Sequence, residues 1–174
     1  MPLHVLVEDL IHGLRYKEVL PHLKPCGRLA DLGSGDKPRF LRHARSLAGH
    51  CWGLDPNTVP GEEGNVTLSR GDITKPLPFE DGFLDQITCL AVIEHIENPL
   101  PLLKECLRCL KSGGGLIITT PTRLGIQVHE LIRMAGLVRD VEEGEHHDFF
   151  MSKDKLSNWA RQAGFIVEKA YAFE

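Results

Sequence analysis

Three acids stand where short apolar runs give way to glycine or proline, and their spacing is the first sign of chemistry in this chain. Asp31 closes "RLAD" and is followed, after Leu32, by Gly33, Ser34 and Gly35. Asp55 closes "HCWGLD", and Asp72 lies in "SRGDI". Gly33 and Gly35 permit backbone conformations closed to other residues and let a ligand approach the main chain. A helix starting near Lys37 and Pro38 would turn its free N–H groups toward that glycine turn. Asp55 follows the turn by about 20 residues, the interval at which an acid meets ribose hydroxyls in nucleotide-binding βαβ units. Asp72 and Ile73 end a third apolar run, where an adenine could lie. Any one of these acids alone reads as a solvated loop residue. Three in succession do not follow from solubility.

Two kinds of nucleotide compete for such a turn. A dinucleotide site calls for G-x-G-x-x-G with its pyrophosphate at the helix N-terminus. Here the sixth position is Pro38, and Asp31 and Asp36 would repel phosphate. An acidic lip suits a cationic ligand. S-adenosyl-L-methionine carries an ammonium and a sulfonium and no phosphate.

These residues must be positioned by regular elements. Residues 3–23 carry a helical stripe of Leu3, Leu6, Val7, Leu10, Ile11 and Leu14, ended by Pro21. "GRLADLG" reads as a buried strand. "PRFLRHARSLAG" reads as a helix with Pro38 in its first turn and Gly49 at its exit. "HCWGLD" and "NVTLSRGD" are strands joined by "PNTVPGEEG", too broken for a crossover helix. "FLDQITCL", a helix over "NPLPLLKECLRCLKSGG" and the strand "GLIITTP" follow. Residues 124–137 read as helix and 138–150 as loop. "SKDKLSNWARQAGF" reads as a helix capped by Ser152, and "FIVEKAYAF" as a closing strand. Strands alternating with helices predict a doubly wound, Rossmann-like α/β domain with a mainly parallel sheet. The expected order is 3-2-1-4-5, with one antiparallel C-terminal strand beside the fifth. Right-handed crossovers bring the carboxyl ends of the parallel strands to one edge, where ligands bind. Asp55 is expected at that exposed edge.

The 174 residues, 42% hydrophobic and 25% charged, fit one globular domain. Its expected parts are an N-terminal helix (1–24), a cofactor-binding core (25–120), a substrate lid (121–150) and a last helix and strand (151–174). A net charge of −4 gives no general attraction to nucleic acid. No leader is read at the N-terminus, and no apolar run has the length of a membrane span. Five cysteines, an odd number, suggest reduced thiols and a cytoplasmic home. Cys106 and Cys109 have helical spacing and read as one buried face, and no metal site is expected. Nothing specifies an oligomer.

Taken together, the blocks resemble the class I S-adenosylmethionine-dependent methyltransferases, in particular their small single-domain type-11-like members. "ADLGSGDKP", "GLDPN", "GDITKPLPFEDGFLDQITC", "VIEHIENPLPLLKECLRCLKSGGGLIITTP" and "HHDFFMSKDKLSNWARQAGF" carry the likeness, over residues 26–165. The resemblance implies that Asp31 reaches the methionine ammonium and that Gly33, Ser34 and Gly35 line the methionine and ribose. It also implies that Asp55 accepts from the ribose hydroxyls, with Pro56 near the adenine. Asp72 and Ile73 would meet the adenine, and Leu90 would line the methionine end. S-adenosyl-L-homocysteine would be the product. The chain departs from the family in having Lys37 for a third glycine, and one closing strand where the family has an antiparallel pair.

The resemblance implies methyl transfer to a small-molecule or lipid- or sugar-type acceptor by in-line displacement, dominated by positioning. A protonated hydroxyl acceptor would need a base, and His129, His146 and His147 are the candidates. "GEHHDFF" reads either as a substrate lip or as a Phe149–Phe150 staple before the last helix. Glu94 reads as shaping the site but receives no chemical role, and His95 reads as capping or packing. Arg15 and Tyr16 are expected to approach the cofactor edge. The alternative is a non-catalytic binding module on a degenerate methyltransferase fold.

Overall fold

The computed structural model describes residues 3–122, 125, 127 and 151–172. An N-terminal helix, α1 (Leu3–Val19), tightens through Leu20–His22 before β1 (Cys26–Leu32). Then come α2 (Arg39–Ala44), β2 (Ala48–Asp55), β3 (Gly61–Glu63), β4 (Val66–Arg70) and β5 (Leu84–Leu90). α3 (Leu100–Cys109) leads directly into β6 (Leu110–Thr119), and α4 (Lys153–Ala163) follows later in the chain.

The six strands lie in the order β3-β4-β2-β1-β5-β6. All neighbours are parallel except β3 and β4. β4, β2, β1, β5 and β6 therefore reproduce the expected 3-2-1-4-5 order. The central strands are apolar on successive residues because helices cover both faces. On one face Tyr16, Val19, Phe40 and Leu41 of α1 and α2 meet Leu29, Cys51 and Leu90. On the other, Leu102, Cys106 and Cys109 of α3 meet Ala30, Leu54, Ile87 and Cys89. The C-x-x-C is thus a packing stripe, and all five cysteines are free thiols.

The antiparallel strand is not where the sequence placed it. It is β3, formed within "PNTVPGEEG", and it closes the edge beside β4. Residues 165–172 form no strand. Phe165 packs into the core while Ile166 is 90% exposed. A strand composition without a hydrogen-bonded neighbour is only an extended segment. α2 is also shorter than expected, because Gly49 already belongs to β2. There a Cβ would stand 2.9 Å from the Gly27 carbonyl oxygen, a close approach of β1 and β2 that only glycine admits. The N-cap of α4 matches its signal. The Ser152 hydroxyl accepts from the Lys155 N–H at 3.2 Å, and Gly164 takes φ 106°.

No helix joins β4 to β5. Arg108 of α3 holds that connection instead, donating to the carbonyls of Phe79 (2.9 Å) and Leu77 (3.2 Å). It also pairs with Asp81 at 2.7 Å and Glu105 at 2.8 Å. The clamp fixes the loop that leaves Asp72 and Ile73 at the sheet edge.

α1 docks through Tyr16, whose ring centroid lies 5.3 Å from Phe40 and 5.4 Å from His43. Tyr16→Ala should cost about 3 kcal/mol of stability by loss of this buried aromatic contact. Urea denaturation would check it, with Tyr16→Phe close to the wild type.

Candidate functional site

The glycine turn is built by three strand ends. Gly33 takes φ 76° and Gly35 φ 74°, both left-handed. A Cβ on Gly33 would stand 2.2 Å from a Val92 methyl, so the turn after β1 packs flat against the turn after β5. The Gly33 N–H donates to the Leu54 carbonyl at 2.8 Å. The Asp55 carboxylate accepts from the Gly35 N–H at 2.9 Å and, through its other oxygen, from the Asn57 N–H at 2.8 Å. Asp55 is buried, which corrects its expected exposure. It is a structural anchor of the turn as well as a candidate ligand, with lone pairs left over for hydroxyl donors.

Asp31 lies beside it, 3% exposed. The Thr88 hydroxyl of β5 donates to it at 2.7 Å. Burial pushes its carboxyl up to about 7; the Thr88 bond works against this, and the Asp55 charge adds to it. Among the described residues no cation forms an ion pair with Asp31. Tyr16 stands near enough for Asp31 to raise its hydroxyl, after burial the next contribution.

α1 supplies residues the glycine motif does not announce. Burial pulls the Arg15 guanidinium below its ordinary range, and Glu94 partly restores it. His12 is brought down to about 4 by burial, then by Arg15 and Arg39, so it is neutral at physiological pH. Arg15 and Tyr16 thus come to the edge as expected. The sequence offered no sign of His12; Glu94, read there only as shaping the site, sits fully buried in the turn Ile93–His95. The side-chain polar atoms of His12 Nδ1, Ser34 Oγ, Thr58 Oγ1, Glu94, Thr119 Oγ1 and Thr120 Oγ1 are buried with no hydrogen-bond partner among the described residues. Most buried polar groups are paired. All but Thr58 belong to the turns and strand ends around the glycine turn or to α1 against them.

The remaining expected residues divide. Asp72 is exposed after β4 and accepts from the Thr74 N–H (2.8 Å) and hydroxyl (2.6 Å), bonds that hold it below the usual carboxylate range. The Gly71 N–H donates to the Asp55 carbonyl at 3.2 Å, joining this corner to the turn. Ile73 and Leu90 are both buried but in separate clusters on opposite faces of the sheet. Pro56 is exposed, and so is Lys37, which therefore does not fill the turn. His129, His146 and His147 lie outside the described residues, as does most of the expected lid. Among the described residues no three His, Cys, Asp or Glu side chains gather as a metal site, and no helix is long and apolar enough to cross a membrane.

The fit to S-adenosylmethionine follows from these groups. Asp31 offers a buried anion to an ammonium, Arg15 a cation to a carboxylate, and Asp55 acceptors to hydroxyls. Nothing in the turn favours a pyrophosphate.

Residues 8–170 match the model of a family described as "Methyltransferase domain". The ubiquinone biosynthesis O-methyltransferase of Methylococcus capsulatus is 32% identical over 168 residues, 88% of this chain and 70% of that protein. The protein of that name from Xanthomonas axonopodis pv. citri is 29% identical over 182 residues, 96% of this chain and 72% of its own. Two solved structures share the fold. One is a methyltransferase in complex with the Haloferax volcanii Trm112 activator, with TM-score 0.70, 23% identity, and 92% of this chain and 71% of that one covered. The other is Haemonchus contortus phosphoethanolamine N-methyltransferase 2 bound to S-adenosyl-L-methionine, with TM-score 0.60, 21% identity and 87% and 36% covered.

Asp31 sets a pH dependence. Folded, it keeps its proton up to about pH 7, whereas its ordinary value is 3.8. Its stabilising contribution to the ligand-free protein is therefore complete below about pH 4 and lost as pH rises through about 7, by at most about 4 kcal/mol. Asp31→Asn should flatten that slope and be more stable than the wild type at pH 8, by roughly 1–3 kcal/mol. Thermal melts from pH 4 to 9 would check both.

Proposed function

The chain belongs to the methyltransferase-domain family, and from that premise we propose that it moves a methyl group to an oxygen of a small-molecule acceptor. It is an S-adenosylmethionine-dependent methyltransferase. The donor, when bound, supplies a methyl group already activated on a sulfonium. The observation that carries the site is the buried Asp31 beside the glycine turn, which pairs with no cation among the described residues.

Each residue then has a physical task. Asp31 holds the donor's ammonium, and the Thr88 hydroxyl fixes the carboxyl in place. Arg15 answers the donor's carboxylate. Asp55 binds the ribose hydroxyls while keeping the turn closed through Gly35 and Asn57. Ser34 supplies a buried hydroxyl that the protein itself leaves unpaired. Asp72 and Ile73, with Pro56, make the adenine corner. Leu90 and Tyr16 form the apolar floor, excluding water from the methionine end. Positioning of this kind accounts for most of the rate in such a displacement. The oxygen-directed reading draws on the relatives whose names specify O-methyl transfer. The net charge of −4 speaks against a nucleic-acid acceptor.

Asp55 gives the test. Hydrogen bonds to a charged acceptor contribute roughly 1.5–3 kcal/mol each and do not add simply. Asp55→Ala should weaken S-adenosylmethionine and S-adenosylhomocysteine by roughly 30- to 1,000-fold, with Asp55→Asn between. Because the carboxylate also anchors the turn, the alanine variant should lose about 1–2 kcal/mol of stability as well. Calorimetric titration beside urea denaturation would measure both, with NAD as a ligand expected not to bind. A wild type that ignores both adenosyl ligands, or an alanine variant that binds as wild type does, overturns the placement. Binding without turnover on any hydroxyl or amine acceptor would return the non-catalytic module.

A further inference from the structure

Immediately after β5, Ala91 takes φ 54°, a region non-glycine residues seldom enter and where strain gathers at working sites. The Thr119 carbonyl, at the end of β6, holds the Ala91 N–H at 2.9 Å. The chain then passes through the short turn Ile93–His95, which leaves Glu94 only 1% exposed. Neither Glu94 oxygen has a hydrogen-bond partner among the described residues, and the hydroxyls of Thr119 and Thr120 are equally without one. A buried carboxyl left bare is costly, and a fold retains it where something else completes it.

The groups that face Glu94 come from several elements. Burial pushes its carboxyl up. Its own backbone amide, His95 in the same turn, Arg15 of α1 and the Thr120 hydroxyl pull the other way. The amide and the hydroxyl lie close without the alignment of a hydrogen bond. The Cys89 thiol of β5 is also near, and its own burial keeps it protonated. Glu94 is thus a buried acceptor with no hydrogen-bond donor of its own among the described residues.

We propose that Glu94 is the base for a hydroxyl acceptor, taking first its hydrogen bond and then its proton. This rests on the reading of the donor site above. The acceptor oxygen forms its bond to the methyl carbon as the carbon–sulfur bond breaks, and that bond's electron pair stays on sulfur. The hydroxyl proton goes to a Glu94 carboxylate oxygen and returns to solvent between turnovers. A neutral amine attacks without first losing a proton, whereas a hydroxyl gains most from a base. A buried lone carboxylate therefore fits an oxygen nucleophile.

Catechol and 4-nitrocatechol are the probes, the second largely ionised near neutral pH. The wild type should methylate both. Glu94→Gln keeps the size and should lose roughly 10²- to 10⁴-fold in kcat with catechol. With 4-nitrocatechol the loss should stay below about 10-fold, because the proton is already gone. The acid limb of the pH–rate profile should vanish in the variant. Without turnover, calorimetry in the presence of S-adenosylhomocysteine should show catechol binding weakened about tenfold, the loss of one charged acceptor. Affinity for S-adenosylmethionine should stay within about twofold of wild type. Equal losses on both probes, unchanged turnover of catechol, or a parallel loss of donor affinity overturns the proposal. A wild type that binds the donor yet methylates neither probe overturns it too while leaving the donor site standing. A wild type that does not bind the donor removes both readings.

Discussion

The structure depends on the Asp55 carboxylate. Its two oxygens hold the Gly35 and Asn57 amides, and its own carbonyl takes the Gly71 N–H. One residue at the end of β2 therefore fixes the turn after β1, the turn after β2 and the start of the loop after β4. The preceding residue completes the lock, because the Leu54 carbonyl holds the Gly33 N–H. Charge-assisted bonds to backbone amides are among the stronger ones available to a loop. They let a two-glycine turn, which has much conformational freedom to lose, stay in one shape. Val92 then seats against Gly33 with no room for a side chain, coupling the β1 turn to the β5 turn and so to Glu94.

That rigidity comes with uncompensated charge. Asp31 and Glu94 are both taken out of water, and both carboxyls are driven upward by burial. A fold selected for stability alone would replace them with apolar groups of similar size. Retaining them makes the empty site the weak part of the protein and makes a cationic ligand a source of stability, since whatever binds only the folded state stabilises it. The strain at Ala91 belongs to the same account: local cost is held in place by β5 and β6, whose ends are tied together there.

Much of this was legible from residue order. The apolar runs gave the five parallel strands, because strands buried on both faces must be apolar throughout. Ser152 marked the start of α4 through a requirement that is local to the backbone. The edges were less legible. β3 is three residues of Gly-Glu-Glu, too short for any period and held by backbone pairing that composition does not encode. "FIVEKAYAF" has the right composition for a strand, yet a strand also needs a neighbour, which lies elsewhere in the chain. The glycine turn and its three acids were readable because their geometry is dictated by backbone freedom and fixed spacing. The burial of Asp55 was not, since it depends on where Gly35 and Asn57 fall in space. Glu94 could be read as shaping the site but not as a buried, unpartnered carboxyl, for a related reason: its burial depends on how separate parts of the chain pack around the turn Ile93–His95.

The electrostatic balance of the cleft also explains the choice of ligand. Asp31 and Asp55 lie buried at the glycine turn, and Arg15 of α1 is near enough to Glu94 for their charges to act on each other. Charges in a poorly screened cleft act over several ångströms, so a phosphate-bearing dinucleotide would meet repulsion at the very turn that usually welcomes it. The helix after the turn cannot reverse this, because α2 has only six residues and begins after Pro38. A ligand with one carboxylate and an excess of positive charge meets the opposite field. Asp31, whose burial makes the ligand-free protein less stable at high pH, is thus one of the acids that disfavour a phosphate at this turn.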